Sequence, residues 1–475
     1  MKTVNQVYIN GRFVTPHGEE LFDLYNPATK TVIGRVRLAD EVDAQTAIAA
    51  AKAAYPEFRQ TTKAERMDYL QRLHDAVAEK TAELVDRMVE EYGAPLSMSS
   101  GTVARAAEAF RLAKVLLETF EFEKQAGAAR VVLEPLGVVG LITPWNANYS
   151  FICSKLAMVI ASGSTAVIKP SEMSALQTQL LTECLHEAGL PSGVFNIVTG
   201  RGDTVGTEIV RHQDIAKISF TGSTRVGKRI AREAVETMKR VTLELGGKSP
   251  NVILEDADLE KAIPLALSAV SINSGQACIA GSRLLVPERL LDEVIRLIKR
   301  HSADLTVGDP RQKSTRIGPL VSQIQYDRVQ GYIRSGIAQG AELIVGGEGH
   351  PEGLEQGYFV RPTVFVRVTP EMTIAREEIF GPVLSVLTYK SETQAIEMAN
   401  DTVYGLQAYV SGTDLQRARR VAEQLVAGRV FINGLYDLPQ APFGGFKQSG
   451  IGREFGAYGL EEYLEPKTIA GHESS

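Results

Sequence analysis

The sequence predicts an α/β protein: a parallel, doubly wound sheet with helices on both faces, followed by a second α/β series. Two observations carry this. Between 131 and 243, short β-branched runs (138–142, 165–168, 194–198, 217–220, 241–243) alternate with helix-length segments near 151–162, 173–189, 201–211 and 224–238, the pattern of βαβ units. After Pro250 the alternation resumes, with helical stretches near 258–272, 288–303, 323–339, 392–399 and 414–427. Strand-like runs lie between them near 283–286, 342–345, 363–367, 384–389, 405–410 and 429–432.

The remaining elements follow in chain order. Two β-prone runs flank Asn10-Gly11, a strong hairpin signal. An Ala-rich pattern predicts a helix over 41–58. Thr62 with Glu65 three residues on forms a capping box, and Leu70, Leu73, Val77, Leu84 and Met88 continue at helical spacing to a stop at Gly93. A third helix is predicted over 102–120. The tail from Tyr463 to Ala470 reads as a strand that pairs with another element or another subunit.

With 475 residues, 44% hydrophobic and 23% charged, the chain can fill two or three domains. A net charge of −6 and a pI near 5.8 disfavour nucleic acid or an anionic membrane as partner and leave a small molecule. Cys153, Cys184 and Cys278 are odd in number and widely spaced, with no zinc-type CxxC, so free thiols in a reducing compartment and no metal centre are expected. The N-terminus lacks an apolar leader, and no apolar run approaches the ~20 residues that span a bilayer. A cytoplasmic protein is expected.

Ligands bind parallel sheets at the carboxyl ends of strands, and chemistry-bearing residues stand there. Cys278 lies between Gly275 and Gly281, a context that allows close backbone approach; a lone cysteine otherwise reads as buried and structural. Glu244 follows an apolar strand and precedes Gly246-Gly247, which suits a general base in a partly dry pocket or, equally, an ion pair with Lys248 or Arg240. Asn146, after Pro144-Trp145, is an amide donor suited to an oxyanion or to an Asx turn. Thr221-Gly-Ser-Thr-Arg-Val-Gly227 offers free backbone N–H groups at a helix start, where a phosphate or a plain cap fits. Lys169 and Glu172 suit a ribose and repulsion of a 2′-phosphate, or an exposed helix-start pair.

Together these residues resemble the NAD(P)-dependent aldehyde dehydrogenase superfamily over essentially the whole chain. Leu243-Glu-Leu-Gly-Gly-Lys-Ser-Pro250 is similar to the family's glutamate signature and Gly275-Gln-Ala-Cys278 to its cysteine signature, 34 residues apart from Glu244 to Cys278. Ile168-Lys-Pro-Ser-Glu172, Phe220-Thr-Gly-Ser-Thr224, Glu377-Glu-Ile-Phe-Gly-Pro382, Asn433-Gly434 and Pro442-Phe-Gly-Gly-Phe-Lys-Gln-Ser-Gly450 match in family order.

The resemblance implies a Rossmann-type cofactor domain (1–120 and 136–246), a catalytic domain (247–445) and an oligomerisation element (121–135 and 460–475), in a homodimer or homotetramer. It implies Cys278 as nucleophile, Glu244 as the base that activates water, and Asn146 with the Cys278 backbone N–H as oxyanion donors. The cofactor is NAD, with NADP as the alternative, against Ile142, Pro144, Trp145, Lys169, Ser171 and Glu172. Its further contacts are Gly202, Phe220, Gly222, Ser223, Val226, Leu245, Gly246, Glu378 and Phe380. Ala147-Asn148-Tyr149 departs from the common Phe-Pro continuation, Cys278 is flanked by Ala277 and Ile279, and Tyr436 and Asp437 make a polar mouth. Tyr149, Phe443 and Asp437 are therefore expected along the tunnel of an aliphatic or ω-functionalised aldehyde. A CoA-acylating semialdehyde dehydrogenase and a non-catalytic structural homologue are the alternatives.

Overall fold

The computed structural model describes residues 2–471. An eight-stranded sheet holds the first half of the chain. Its five central strands, Arg240–Glu244, Ile215–Thr221, Val138–Ile142, Thr165–Lys169 and Phe195–Ile197, run parallel in that spatial order. One edge is closed by the hairpin Val7–Ile9/Arg12–Val14, whose Asn10 and Gly11 take the positive φ values of 52° and 75° that a tight turn requires. The other edge is closed by Gly450–Ile451, antiparallel to Arg240–Glu244.

Helices cover both faces. Leu70, Leu84, Phe110, Leu156 and Leu181 pack beneath one face, and Ile48, Ile209 and Ile230 beneath the other. Two capping boxes start the early helices: Asp40 with Asp43 before Glu41–Phe58, and Thr62 with Glu65 before Lys63–Glu79.

A seven-stranded sheet holds the second half, in the order Glu342–Val345, Thr363–Val366, Val383–Tyr389, Arg283–Pro287, Pro250–Ile253, Gln407–Ser411, Arg429–Ile432. It is parallel except at its first strand. The tail strand Leu464–Ile469 pairs antiparallel with Ala129–Pro135 of the same chain, which pairs with Glu123–Ala126. Residues 472–475, the end of the expected 460–475 element, lie outside the described residues.

Three expectations are corrected. The helix expected from Thr62 to Gly93 is two, Lys63–Glu79 and Thr81–Tyr92, because Lys80 leaves helical geometry and the Thr81 hydroxyl donates to the Ala78 carbonyl at 2.7 Å. The helix expected from 102 starts at Leu96: Ser99 and Ser100, polar enough to read as loop, return their hydroxyls to the Ala94 and Leu96 carbonyls. The segment expected as one helix over 201–211 opens as a π-turn, Gly202–Gly206, before the short helix Thr207–Arg211. Strand Pro250–Ile253 escaped the sequence reading because a proline heads it, which a strand tolerates at its first residue.

Candidate active site

The strands ending at Ile142, Thr221 and Glu244 in the first sheet face the segments before Arg283 and Val383 in the second. A cavity of about 200 Å³ opens between them. Its walls include Pro144, Trp145 and Asn146 from one strand end, Gly222 and Ser223 from the next, and Glu244, Leu245 and Gly246 from the third. Cys278, Glu378 and Phe380 reach it from the second sheet. Eleven of the residues expected from the sequence thus converge on one space.

Cys278 arrives on a left-handed turn. Asn273, Ser274 and Gly275 have φ of 53°, 59° and 76° in succession, a costly backbone that needs support. The Asn273 amide donates to the Asn146 carbonyl (2.8 Å) and the Gln276 carbonyl (3.2 Å), and the Gln276 side-chain oxygen accepts from the Val321 amide (3.0 Å). Gly275 is obligatory, since a Cβ there would lie 2.1 Å from the Gly381 carbonyl carbon. Gly275→Ala is expected to destabilise the protein by about 1–3 kcal/mol or more, read as a lower Tm, with catalysis lost before the fold.

Asn146 is buried and donates through Nδ2 to the Gln276 carbonyl at 3.0 Å, leaving its second N–H free in the cavity that Cys278 also lines. Glu244 is buried, and neither of its carboxylate oxygens has a hydrogen-bond partner. Neither ion pair weighed for it forms: Arg240 pairs with Glu465, and the Lys248 amine has no partner. Burial pushes the Glu244 carboxyl well above the ordinary carboxylate range; nearby Glu454 adds to this, while Lys155, Arg453 and Arg429 oppose it. Burial likewise pushes the Cys278 thiol up, with Glu378 and Glu244 contributing. A buried carboxylate that lines the same cavity as a thiol can take a proton from a water bound in that cavity.

The cofactor side is a cradle. Ser223 caps helix Thr224–Ala234 by accepting from the Val226 amide, and the helix N-terminus opens on the cavity. Gly246 permits close approach, since a Cβ there would meet Glu378 Oε2 at 2.5 Å. Glu378 itself accepts from the Gly247 amide at 3.1 Å. Trp145 and Phe380 meet edge-on at 5.6 Å. An aromatic wall, an acceptor carboxylate and an anion-binding helix start fit a dinucleotide.

Lys169 lies 3.4 Å from Glu172 on a neighbouring loop, where Ser171 caps the following turn and Gly202 opens the π-turn. Ile142 and Phe220 pair across adjacent strands in the core beneath Leu245, and Val226 is exposed on its helix.

Thr221, the first residue of the expected helix-start turn, also lines the wall, and three residues missed by the sequence reading complete it: Phe151, Gln325 and Arg328. Gln325 donates to the Phe380 carbonyl at 2.7 Å and Arg328 to the Glu378 carbonyl at 2.6 Å, fixing that loop. They sit three residues apart on helix Gln323–Ala338, a polar i,i+3 pair that marks one face.

The expected tunnel residues are placed elsewhere. Tyr149 is a correction: it is fully buried in the helical core and its hydroxyl donates to the Leu84 carbonyl at 3.2 Å. Two residues on, about 200° around the helix, Phe151 faces the cavity instead. Phe443 packs against Phe455 at 5.9 Å beneath Arg429, outside the cavity wall but adjacent to Gly444, which approaches Glu244. Asp437 is exposed, 3.9 Å from Arg105, and also outside that wall.

The Aldehyde dehydrogenase family profile matches residues 13–469. The chain belongs to that family, and it is an enzyme of the NAD(P)-dependent aldehyde dehydrogenase type. It is 46% identical over 477 residues, covering all of both chains, to 3-succinoylsemialdehyde-pyridine dehydrogenase from a Pseudomonas species. Among solved structures it resembles a cysteine-to-alanine variant of aldehyde dehydrogenase C from Pseudomonas syringae, complexed with NAD+ and octanal. The TM-score is 0.97 at 44% identity, covering 98% of this chain and 96% of that one. The NAD+ complex of aldehyde dehydrogenase from Bacillus cereus follows at TM-score 0.94 and 40% identity, with 98% and 96% coverage. The family and fold expected from the sequence are thereby confirmed.

Proposed function

We propose that this chain oxidises an aliphatic or ω-functionalised aldehyde to the carboxylic acid with NAD, using Cys278, Asn146 and Glu244. One observation carries the assignment: Glu244, buried with both oxygens unpartnered, lines the same cavity as the Cys278 thiol. The Cys278 thiol gives up its proton to solvent, and the resulting thiolate sulfur bonds to the aldehyde carbon. The carbonyl oxygen becomes an oxyanion that accepts from the free Asn146 N–H and the Cys278 backbone N–H. Bound NAD supplies the acceptor for the hydride that leaves this carbon, and a thioester on Cys278 remains. Glu244 then takes a proton from water, the water oxygen bonds to the acyl carbon, and the carbon–sulfur bond breaks to release the acid and the thiolate.

Asn146→Ala is expected to lower kcat/KM by about 10²–10³-fold, the scale of losing one oxyanion donor, in steady-state NADH assays. An aldehyde panel varying chain length and terminal group, with NAD and with or without CoA, tests the whole reading. Carboxylic acid formation independent of CoA supports it; acyl-CoA as product, or no turnover of any aldehyde, rejects it. Glu244 favours water over CoA as acyl acceptor.

The octanal bound by the Pseudomonas syringae protein and the semialdehyde named for the other relative both support this substrate class. The assigned domain division is 1–120 with 136–246 for cofactor, 247–445 for catalysis, and 121–135 with 460–475 for assembly. The exposed strand Glu123–Ala126, at the edge of the small tail sheet, supports assembly as a homodimer or homotetramer. The three free cysteines favour a cytoplasmic location. No helix among the described residues is long and apolar enough to cross a membrane.

A further inference from the structure

We propose that Arg201 is a positioning residue that holds the Glu172 carboxylate for the adenosine ribose, and that through it the N-terminal segment sets the preference for NAD over NADP. This rests on the reading that Glu172 accepts from ribose hydroxyls. Glu172 is gripped from two sides: Lys169 Nζ lies 3.4 Å from Oε2, and Arg201 Nη1 lies 3.3 Å from Oε1.

Arg201 has partners of its own on the other side. Its Nε and Nη2 both donate to Glu20 Oε1, at 3.1 and 2.7 Å, and its guanidinium stacks over the Phe22 ring at 4.8 Å. Glu20 and Phe22 belong to the segment entering strand Leu21–Asn26, far from Glu172 in sequence. A planar guanidinium bridges two carboxylates through a rigid fork of five donors, a fixed geometry that a lysine's three rotatable donors reproduce only in part.

A carboxylate offers about four lone-pair positions, so two cations at 3.3 and 3.4 Å leave acceptor capacity for two vicinal hydroxyls. The two cations are balanced by Glu20 and Glu172, so the site carries no net positive charge to attract a 2′-phosphate. A phosphate bringing about −1.5 to −2 charges could enter only if Glu172 swung aside, and Arg201 opposes that swing. Arg201 thus favours NAD by pre-ordering the acceptor and disfavours NADP by keeping the repelling group in place.

The test compares NAD and NADP kinetics of the full-length enzyme with those of Arg201→Ala, Arg201→Lys, Glu20→Gln and Glu172→Gln. Arg201→Ala is expected to raise KM for NAD about 2- to 10-fold at unchanged kcat. It is also expected to narrow the NAD-to-NADP ratio of kcat/KM by roughly tenfold. Arg201→Lys should recover part of both effects, and Glu20→Gln should move both in the same direction by less. If Arg201→Ala leaves both cofactors' constants unchanged, or lowers kcat with KM, the positioning role is overturned. If it selectively abolishes NADP use, Arg201 is a phosphate ligand and the proposal is overturned. Glu172→Gln separates the underlying reading: it should favour NADP, and no change there rejects the ribose assignment itself.

Discussion

Replacing Cys278 with alanine is expected to lower aldehyde-dependent kcat/KM by roughly 10⁴-fold or more, the scale seen when a covalent nucleophile is removed. The fold and cofactor binding should survive. The methyl side chain needs no rearrangement of the left-handed Asn273–Gly275 turn, whose supports are the Asn146 carbonyl, the Gln276 carbonyl and the Val321 amide rather than the thiol. The cradle formed by Ser223, Gly246, Glu378 and Phe380 does not involve the sulfur. A fluorescence titration with NAD alongside the NADH assay separates the two: binding near that of the unaltered protein, with turnover at background, is the expected pair of results. Retained turnover in a pure sample contradicts the nucleophile assignment.

Glu244→Gln should act on a different step. Thiolate attack and hydride loss require Cys278 and Asn146, whereas release of the acyl group requires a proton acceptor for water. The variant is therefore expected to produce about one NADH per site in a burst, followed by a steady rate about 10²–10⁴-fold below that of the unaltered enzyme. The charge environment adds a pH dependence. Burial, reinforced by Glu454, raises the Glu244 carboxyl above its ordinary range, and a base works only when deprotonated. Acyl release should therefore climb with pH above the ordinary carboxylate range, and glutamine at 244 should flatten that limb. Stopped-flow absorbance at several pH values measures both the burst and the limb.

Local signals were legible wherever local chemistry decides. The Asn10-Gly11 turn, the Thr62 capping box and the strand ends at Pro144, Thr221 and Glu244 follow from short-range hydrogen bonding and from the rule that parallel sheets present residues at their carboxyl edge. What escaped depends on partners distant in sequence. Phe151 rather than Tyr149 faces the cavity because the Leu84 carbonyl captures the tyrosine hydroxyl. Gln325 and Arg328 enter the site through backbone carbonyls some fifty residues away, at Phe380 and Glu378. Arg201 gains meaning only beside Glu20, 181 positions earlier. The break at Lys80 turns on one threonine hydroxyl that periodicity cannot weigh against a continuing helix.

The most direct test of the Cys278 thioester and its release by Glu244 is the intact mass of the Glu244→Gln protein after mixing with an aldehyde and NAD, with peptide mapping of the adduct. An acyl group of the aldehyde's own carbon skeleton on Cys278, appearing in step with one NADH per site, is the predicted result. Sustained NADH formation with an unmodified Cys278, or an adduct on another residue, would contradict it.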